Sequence, residues 1–466
     1  MPISRRQFTK TAASAALLGY TGVLSAFDKN TAGIAVNQLQ QQIEGFGFCE
    51  AFHQARNLQS FSDKDKAAIL DLMFSPTAGM GYSILRNIIG DGPANPQNGS
   101  TTSIEPTAGE FNWTGDEDQI WMMNEAKKRG CTRFLSSCWS PPAWMKTNKS
   151  VENGGELKPE MYQQFADYLA TYVLEYKKRY DLDIFAISPT NEPNYTATWS
   201  SCRWTGSQLK KFLHQNLIPT FAQKGIAAEI VIDEHASWSD EYINEILSDP
   251  VCDKAIHITA AHAYAATTAP YMPLNTRTGQ FATAIEKGKR IWETEVSVGG
   301  NEPNITNMND GVYWARVIHA HMIEDNVSAW LYWWGAAVSG SRGSLITLDM
   351  KTKTYQLSKR MFTIGHFARF IRPGYHRVDA TPNPAPNVFF SAYLDPSGKK
   401  LVCVAINDDA VERPFTIQCG SFPATSCTAV RTSNTETHAR LPKMDISNGQ
   451  LAVTTAPLSV TTYIFT

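Results

Sequence analysis

The chain has eight cysteines, at positions 49, 131, 138, 202, 252, 403, 419 and 427, but no Cys-x-x-Cys pair among them. That spacing argues against a zinc centre, and no metal is expected. Beyond the N-terminus there is no apolar run of about 18 or more residues, so no membrane-spanning helix is expected there. Charge of one sign is also lacking. Lys and Arg total 42 against 44 Asp and Glu, a formal −2, which removes the electrostatic case for nucleic-acid or polyanion partners. No internal repeat and no low-complexity tract occurs. What remains is a 466-residue chain, 43% hydrophobic, long enough to bury a large core. Aromatic residues are plentiful, with 12 Trp, 17 Tyr and 22 Phe.

Residues 1–26 have the form of an export signal. Arg5 and Arg6 precede an Ala/Leu/Gly-rich run to Leu24, with no acidic residue before Asp28, as in a twin-arginine-type signal with Thr9 in place of the usual leucine. The expected destination is periplasmic or extracellular, with no membrane association after export. A protein folded before export in a reducing cytosol is expected to keep buried free thiols. Cys131/Cys138 and Cys419/Cys427 are the pairs that could oxidise later.

Eight strand-like runs lie between residues 43 and 334, ending near Glu50, Arg86, Trp139, Glu192, Glu234, Tyr264, Glu295 and Trp334. Each interval is long enough for a strand, a helix and two loops, the repeat of a (β/α)8 barrel. Phe185-Ala186-Ile187 and Ala329–Tyr332 are apolar throughout, as strands covered on both faces should be. Met161, Phe165, Tyr168, Leu169, Tyr172, Val173 and Tyr176 share one face of a helix that starts after Pro159, and Ser62 reads as a helix N-cap. Leu357, Met361, Ile364, Phe367 and Ile371 predict a last helix, halted by Pro373 and Gly374. After residue 375 the texture changes to short alternating runs: Val388–Tyr393, Leu401–Ile406, Phe415–Ile417, Thr428–Thr432 and Val460–Phe465. This is β-sandwich composition, and a lone strand at Gly33–Leu39 is placed to complete it. The expected domains are a strand segment at 27–44, a catalytic barrel at 45–372 and a side β-sandwich at 373–466.

Two of the barrel strands end in acids that matter chemically. Thr190-Asn191-Glu192-Pro193 closes the fourth, and Trp292-Glu293-Thr294-Glu295 the seventh. Alone, Asn-Glu-Pro is ordinary turn chemistry. Paired with a second carboxylate at the C-terminal end of a barrel strand, it is what a retaining glycosidase requires: one acid protonates the leaving oxygen while the other attacks the anomeric carbon. Glu192 is read as acid/base and Glu295 as nucleophile. Glu293 competes for the second role, because alternate residues of a strand project from the same face. Asn191 is expected at the sugar 2-hydroxyl. Arg86 is placed either to hold Glu295 ionised or in a buried structural ion pair, and Tyr264 to bond the nucleophile or the sugar. His262 is either a substrate contact or a satisfied core histidine. Glu50 and Glu234 also end strands; nothing pairs them with the chemistry, and both are read as supporting residues behind the reacting pair. Trp139, Trp144, Trp199, Trp204, Trp333 and Trp334 are candidate sugar-stacking residues or mouth packing; Trp139 and Trp333 are favoured for the subsite at the scissile bond.

The chain resembles glycoside hydrolase family 30 from about Gln42 to its C-terminus. The resemblance rests on Gly45–Phe52, Ser83–Asn87, Trp139–Lys146, Ser188–Pro193, Trp292–Glu295 and His366–Gly374, six matches in order. Ser103–Pro106 and the Asn148–Gly155 loop look like the xylan-active branch. The resemblance implies a (β/α)8 TIM barrel with a side β-sandwich, retention of anomeric configuration and no cofactor. Its Trp-x-Thr-Glu pattern favours Glu295 over Glu293. Two departures bear on substrate. Where glucuronoxylan-specific members carry a uronate-gripping arginine the chain has His53-Gln54, with Arg56 two positions on, and the eighth-strand loop Gly335–Gly343 has one arginine, Arg342, where a pair is usual. The expected activity is hydrolysis of the β-1,4-xylan backbone by a monomer. The same chemistry on β-1,6-glucan, β-1,6-galactan or a β-glucoside is the alternative, and a non-catalytic carbohydrate-binding barrel the remote one.

Overall fold

The computed structural model describes residues 30–92, 102–264, 281–298, 304–338 and 343–466. The leader at 1–26 and Arg342 lie outside them. After a first strand β1 (Thr31–Gln42), eight parallel strands close a barrel: β2 (Gly45–Cys49), β3 (Ile84–Ile89), β4 (Arg133–Cys138), β5 (Ile184–Ser188), β6 (Glu229–Ser237), β7 (Ile258–Tyr264), β8 (Arg290–Glu293) and β9 (Val327–Trp334). β9 closes the ring on β2, Gly45 facing Ala329 and Gly47 facing Leu331. The expected eight-strand barrel with a side β-sandwich is the fold observed.

The barrel interior is filled by Ile84, Leu135, Ala186, Val231, Ile258, Ala260, Trp292, Ala329 and Leu331, all fully buried. One large ring, Trp292, is matched by small neighbours: Ala186, Ala260 and Ala329 leave the space it occupies. Gly47 lies so close to β3 that a Cβ there would come within 2.0 Å of the Ile84 carbonyl oxygen. At the N-terminal end Glu44 accepts from Trp292 Nε1 at 2.6 Å and pairs with Arg290 at 2.8 Å. These contacts brace the face opposite the mouth.

The helix predicted after Pro159 runs Tyr162–Tyr180 behind a 3-10 turn at Pro159–Met161, with Phe165, Tyr168, Leu169, Tyr172, Val173 and Tyr176 buried. Ser62 caps its helix, accepting from the Asp65 N–H at 3.1 Å. The last helix spans Lys359–Ala368 and is capped by Ser358. Leu357, assigned to that helix from sequence, belongs instead to a small sheet of β10 (Ala336–Val338), β11 (Ile346–Asp349) and β12 (Thr354–Leu357). Ser358 supplies the cap only if the helix begins after it, which puts the boundary one turn later than apolar spacing suggests.

The side domain adds β13 (His376–Ala380), β14 (Val388–Leu394), β15 (Leu401–Asn407), β16 (Arg413–Gln418), β17 (Cys427–Thr432), β18 (Ala439–Met444), β19 (Gln450–Thr455) and β20 (Ser459–Phe465). Their order is β18-β17-β20-β15-β14-β13-β1-β16-β19. β1 therefore lies between two C-terminal strands, antiparallel to β13 and parallel to β16. Phe390 meets Phe415 edge-on across the sandwich core at 6.1 Å. The opposite face packs on the barrel through the Met308–Glu324 and Lys359–Ala368 helices. Arg316 pairs with Asp408, and His366 bridges Thr462 and Thr432 at 2.8 and 2.9 Å. All eight cysteines are free and buried. Among the described residues no helix is long and apolar enough to cross a membrane.

Candidate active site

The site is assembled on Arg86. Its guanidinium is fully buried in β3 and faces partners on four other strands or their ends. Nη1 donates to Glu295 Oε2 at 2.6 Å and Nη2 to Asn191 Oδ1 at 2.6 Å. Nε donates to Ser137 Oγ at 3.1 Å and lies 3.1 Å from Glu234 Oε1. Its carbon sits 4.4 Å from the Trp139 ring. A planar fork of donors suits this task, since a lysine could hold only part of the set.

Glu295 has a second anchor. The Tyr264 hydroxyl donates to its Oε1 at 3.0 Å and lies 3.4 Å from Ser297 Oγ. His262 stands between the acids, with Nδ1 at 3.1 Å from Glu192 Oε1 and Nε2 at 3.8 Å from Glu295 Oε2. Glu192, His262 and Glu295 each offer one donor atom, all within 4.8 Å of one another. The two carboxyl groups thus approach at the separation a retaining glycosidase uses, roughly 5 Å. Two carboxylates and an imidazole are also a set able to hold a divalent cation.

The backbone that presents Glu192 is constrained. Glu192, Asp233 and Glu234 adopt φ of 48°, 81° and 54°, each costing on the order of 1–3 kcal/mol for a non-glycine residue. Cross-bonds hold the turn: Glu192 N–H donates to the Glu234 carbonyl at 2.9 Å, and Thr190 Oγ1 to the Asp233 carbonyl at 2.9 Å. The ends of β5 and β6 are thereby fastened to each other.

Burial raises the Glu192 carboxyl to about 7, with Arg86 pulling it down and Glu234 pushing it up. Burial also raises Glu295, opposed by His262 and Arg86. Glu234 is driven up by burial, but Arg86, His262 and Ser137 bring it below the usual carboxylate range. Burial depresses His262, keeping the imidazole neutral near pH 7. One carboxyl without a direct cation partner, beside one held by a guanidinium, is the electrostatic division between a proton donor and a nucleophile.

Every residue singled out for the chemistry has a definite place. Arg86, Asn191, Glu192, His262, Tyr264 and Glu295 form one connected cluster. Glu293 does not join it: fully buried one layer deeper, its carboxyl accepts the N–H groups of Glu295 at 3.0 Å and Leu331 at 3.3 Å. Trp139 and Trp333 pack on each other and on Phe52 at the strand ends, centroids 6.0 Å apart, and are buried, 2% and 9% exposed, with Arg86 over the Trp139 ring. Trp334 stacks behind Trp333 and donates to the Ala51 carbonyl at 3.2 Å. Trp204 is buried among Tyr162, Phe165 and Phe212, so it is packing and offers no face to a sugar. Trp144 donates to the Glu105 carbonyl at 3.0 Å, whereas Trp199 is 39% exposed. Glu50 is buried beside Asp118 and Asp116, which add to the effect of burial in raising it. Glu234 backs the cluster through Arg86, as a supporting residue would, whereas Ser137 joins it with no signal in the sequence. The signal available for Glu234 was its position at a strand end, which it shared with residues that lie elsewhere.

A parallel barrel whose strand ends bring two carboxyl groups face to face defines a glycoside hydrolase. The family model "O-Glycosyl hydrolase family 30" matches residues 29–342, and the chain belongs to that family. The glucuronoxylanase XynC of Bacillus subtilis (strain 168) is 28% identical over 414 residues, 86% of this chain and 84% of that protein. The crystallised catalytic domain of GH30 xylanase C from Talaromyces cellulolyticus superposes with a TM-score of 0.80 at 27% identity, covering 94% of this chain and 100% of that one. An endo-1,6-β-D-glucanase of Neurospora crassa is 23% identical over 388 residues, 79% of this chain and 77% of that protein. The substrate is accordingly a glycan.

Proposed function

We propose that the enzyme cleaves the β-1,4-xylan backbone by double displacement, with Glu192 as acid/base and Glu295 as nucleophile. The observation that carries this reading is the approach of their carboxyl oxygens to within 4.8 Å, with Arg86 bonded to Glu295 and not to Glu192. In the first step Glu192 transfers its proton to the interglycosidic oxygen while Glu295 Oε attacks the anomeric carbon. The C–O bond breaks, the leaving chain departs as an alcohol, and a glycosyl ester remains on Glu295. In the second step Glu192, now ionised, takes a proton from water. The resulting hydroxide equivalent displaces Glu295 with net retention. Asn191 is assigned to the sugar 2-hydroxyl, and Tyr264 and His262 to orienting the two carboxyls. Trp139 and Trp333 wall the subsite at the scissile bond.

Xylan is favoured by the xylan-active relatives, and a requirement for uronate side chains is disfavoured by the site itself. His53 and Arg56 occupy the region where a uronate clamp is expected, but both turn to Asp118: His53 Nδ1 lies 3.0 Å from it and Arg56 Nη2 3.6 Å. The His53 ring is thereby taken up by Asp118, while Arg56, 54% exposed, reaches Asp118 only through that long contact. A neutral or arabinosylated xylan should therefore be cleaved at least as well as a glucuronoxylan. Chromatography of products from those xylans tests this; release only from glucuronoxylan would refute the assignment. The second reading keeps the chemistry and changes the sugar to β-1,6-glucan, favoured by the same engaged His53/Arg56 pair and by the Neurospora relative. Product from a β-1,6-glucan with none from any xylan would establish it. Residues 1–26 are assigned as a twin-arginine export signal; replacing Arg5 and Arg6 by lysine should strand the enzyme in the cytosol.

A further inference from the structure

On the flank of the barrel, away from the catalytic cluster, the loop after β3 and the helix Tyr162–Tyr180 enclose an open groove of about 440 Å³. Its lining shares no residue with the catalytic cluster. One wall carries Phe111, 49% exposed, whose ring lies parallel to Trp113 at a 5° interplanar angle with centroids 6.1 Å apart. Trp113 is fixed from behind: Arg179 sits 4.5 Å from its ring, and its carbonyl accepts the Tyr180 hydroxyl at 3.2 Å. The exposed ring is thus mounted on a braced neighbour. An exposed ring mounted this way offers a flat, pre-positioned apolar face to the groove.

The facing wall is a polar ladder. Glu160, Gln163, Gln164, Asp167 and Thr171 line it, all but Glu160 from one face of the helix at one-turn spacing. From 160 to 171 the ladder is about 16 Å long at the helical rise, room for more than one sugar ring in a row. Amide and carboxylate side chains beside an aromatic face are the means of binding a ring that has hydroxyls at its edge and C–H groups on its face. The carboxylates Glu160 and Asp167 disfavour a uronate-bearing stretch by like-charge repulsion. Among the described residues no arginine or lysine lines the groove, but Lys224 beside it pairs with Asp167 at 3.2 Å, so the repulsion comes chiefly from Glu160.

The geometry points to a second glycan-binding groove, in which Phe111 stacks on a sugar ring of a neutral stretch of the polysaccharide while the Gln163–Thr171 ladder takes its hydroxyls. The groove lies near the mouth: the Tyr168 hydroxyl in its floor donates to the Gly90 carbonyl just past β3, and the Glu105 carbonyl accepts from Trp144 of the β4 loop. A long chain held there raises the local concentration of its own scissile bonds at the cleft, whereas an oligosaccharide too short to span both sites gains nothing.

The test uses the mature enzyme and its Phe111→Ala and Gln164→Ala variants, each also in a Glu295→Gln background that removes turnover during binding. Retention on insoluble arabinoxylan, glucuronoxylan and a β-1,6-glucan is measured beside kcat/KM on a short soluble oligosaccharide of the sugar the enzyme cleaves. Phe111→Ala should weaken retention on the neutral polymer by about 2- to 12-fold, the range of one aromatic stacking contact, with short-substrate turnover unchanged. Wild-type enzyme should be retained less by glucuronoxylan than by arabinoxylan. Unaltered retention in both variants would overturn the proposal, as would an equal loss on the short oligosaccharide, which would place Phe111 in the cleft. Failure of the catalytic reading would appear separately, as activity surviving in Glu295→Gln.

Discussion

Replacing Glu192 by glutamine removes the proposed proton donor while keeping the shape of the side chain. Burial sets the Glu192 carboxyl at about 7, so the acid form is the majority species below that pH. The kcat/KM of the wild-type enzyme should fall tenfold per pH unit above about 7, reaching about 1% of its plateau two units higher, equivalent to about 2.7 kcal/mol. The acidic limb belongs to Glu295, which must be ionised to attack. Because burial raises that group, the limb should lie above its ordinary value of 4.5. In Glu192→Gln the alkaline limb should vanish, and turnover of xylan should drop by about 10²–10⁴-fold, the worth of a positioned general acid. An aryl glycoside with an acidic phenol as leaving group needs no protonation, so its first step should survive. The second step would then stall for want of a base, and a burst of phenol equal to the enzyme concentration should appear. Added azide, which needs no base, should restore turnover and yield a β-glycosyl azide. Stopped-flow absorbance across pH reads all of these. Persistence of the alkaline limb in the variant, or equal loss on good and poor leaving groups, would refute the role given to Glu192.

Arg86→Lys should lower kcat/KM by about 100-fold or more, because one ammonium cannot hold Glu295, Asn191 and Glu234 together. The same change should shift the acidic limb upward, and steady-state kinetics across pH would detect both effects. Loss of activity without any displacement of that limb would indicate that Arg86 is only structural. A third expectation concerns the barrel–sandwich interface, where His319 contacts Phe389 and His366 bridges two threonines. Burial depresses His319 to about 3 and pushes His366 well below its usual value. A base with a lowered folded pKa contributes stability that is complete above the unfolded value of 6.5 and lost as pH falls below it. Between about pH 6 and 4 His319 should cost about 1.4 kcal/mol per pH unit, and His366 should add to the loss in the same direction. Urea unfolding at stepped pH measures this, and a flat profile would contradict it.

Much of this architecture is written locally. The barrel strands are almost wholly buried and some are apolar end to end, and acids at their ends mark the mouth, so that Glu192, Glu295, Arg86 and Tyr264 lie near one another was legible in the chain. The edges of the sandwich were less legible. β18 carries Pro442 and Lys443 in a mostly solvent-facing run, and β19 is buried only at alternate positions. Such edge strands lack the apolar continuity that identifies a covered one. Glu234 illustrates a different limit. Its membership of the cluster depends on how far the Arg86 side chain reaches across the barrel, a distance no spacing along the chain encodes. Glu293 and Glu295 share a strand face by spacing alone; the deeper burial of Glu293 under two backbone N–H groups keeps its carboxyl out of the cluster that Glu295 joins. Trp204 shows the converse, an aromatic in a loop beyond Glu192 that the helix layer absorbs.

The central claim is that Glu295 becomes covalently bonded to the sugar during turnover. A 2-deoxy-2-fluoro glycoside of the cleaved sugar with an activated leaving group slows the second step more than the first, so the ester should accumulate. Peptide mass spectrometry of the inactivated enzyme should find one added glycosyl group, on Glu295. A label on Glu293 or Glu234, or no label together with inverted product by NMR, would contradict the account.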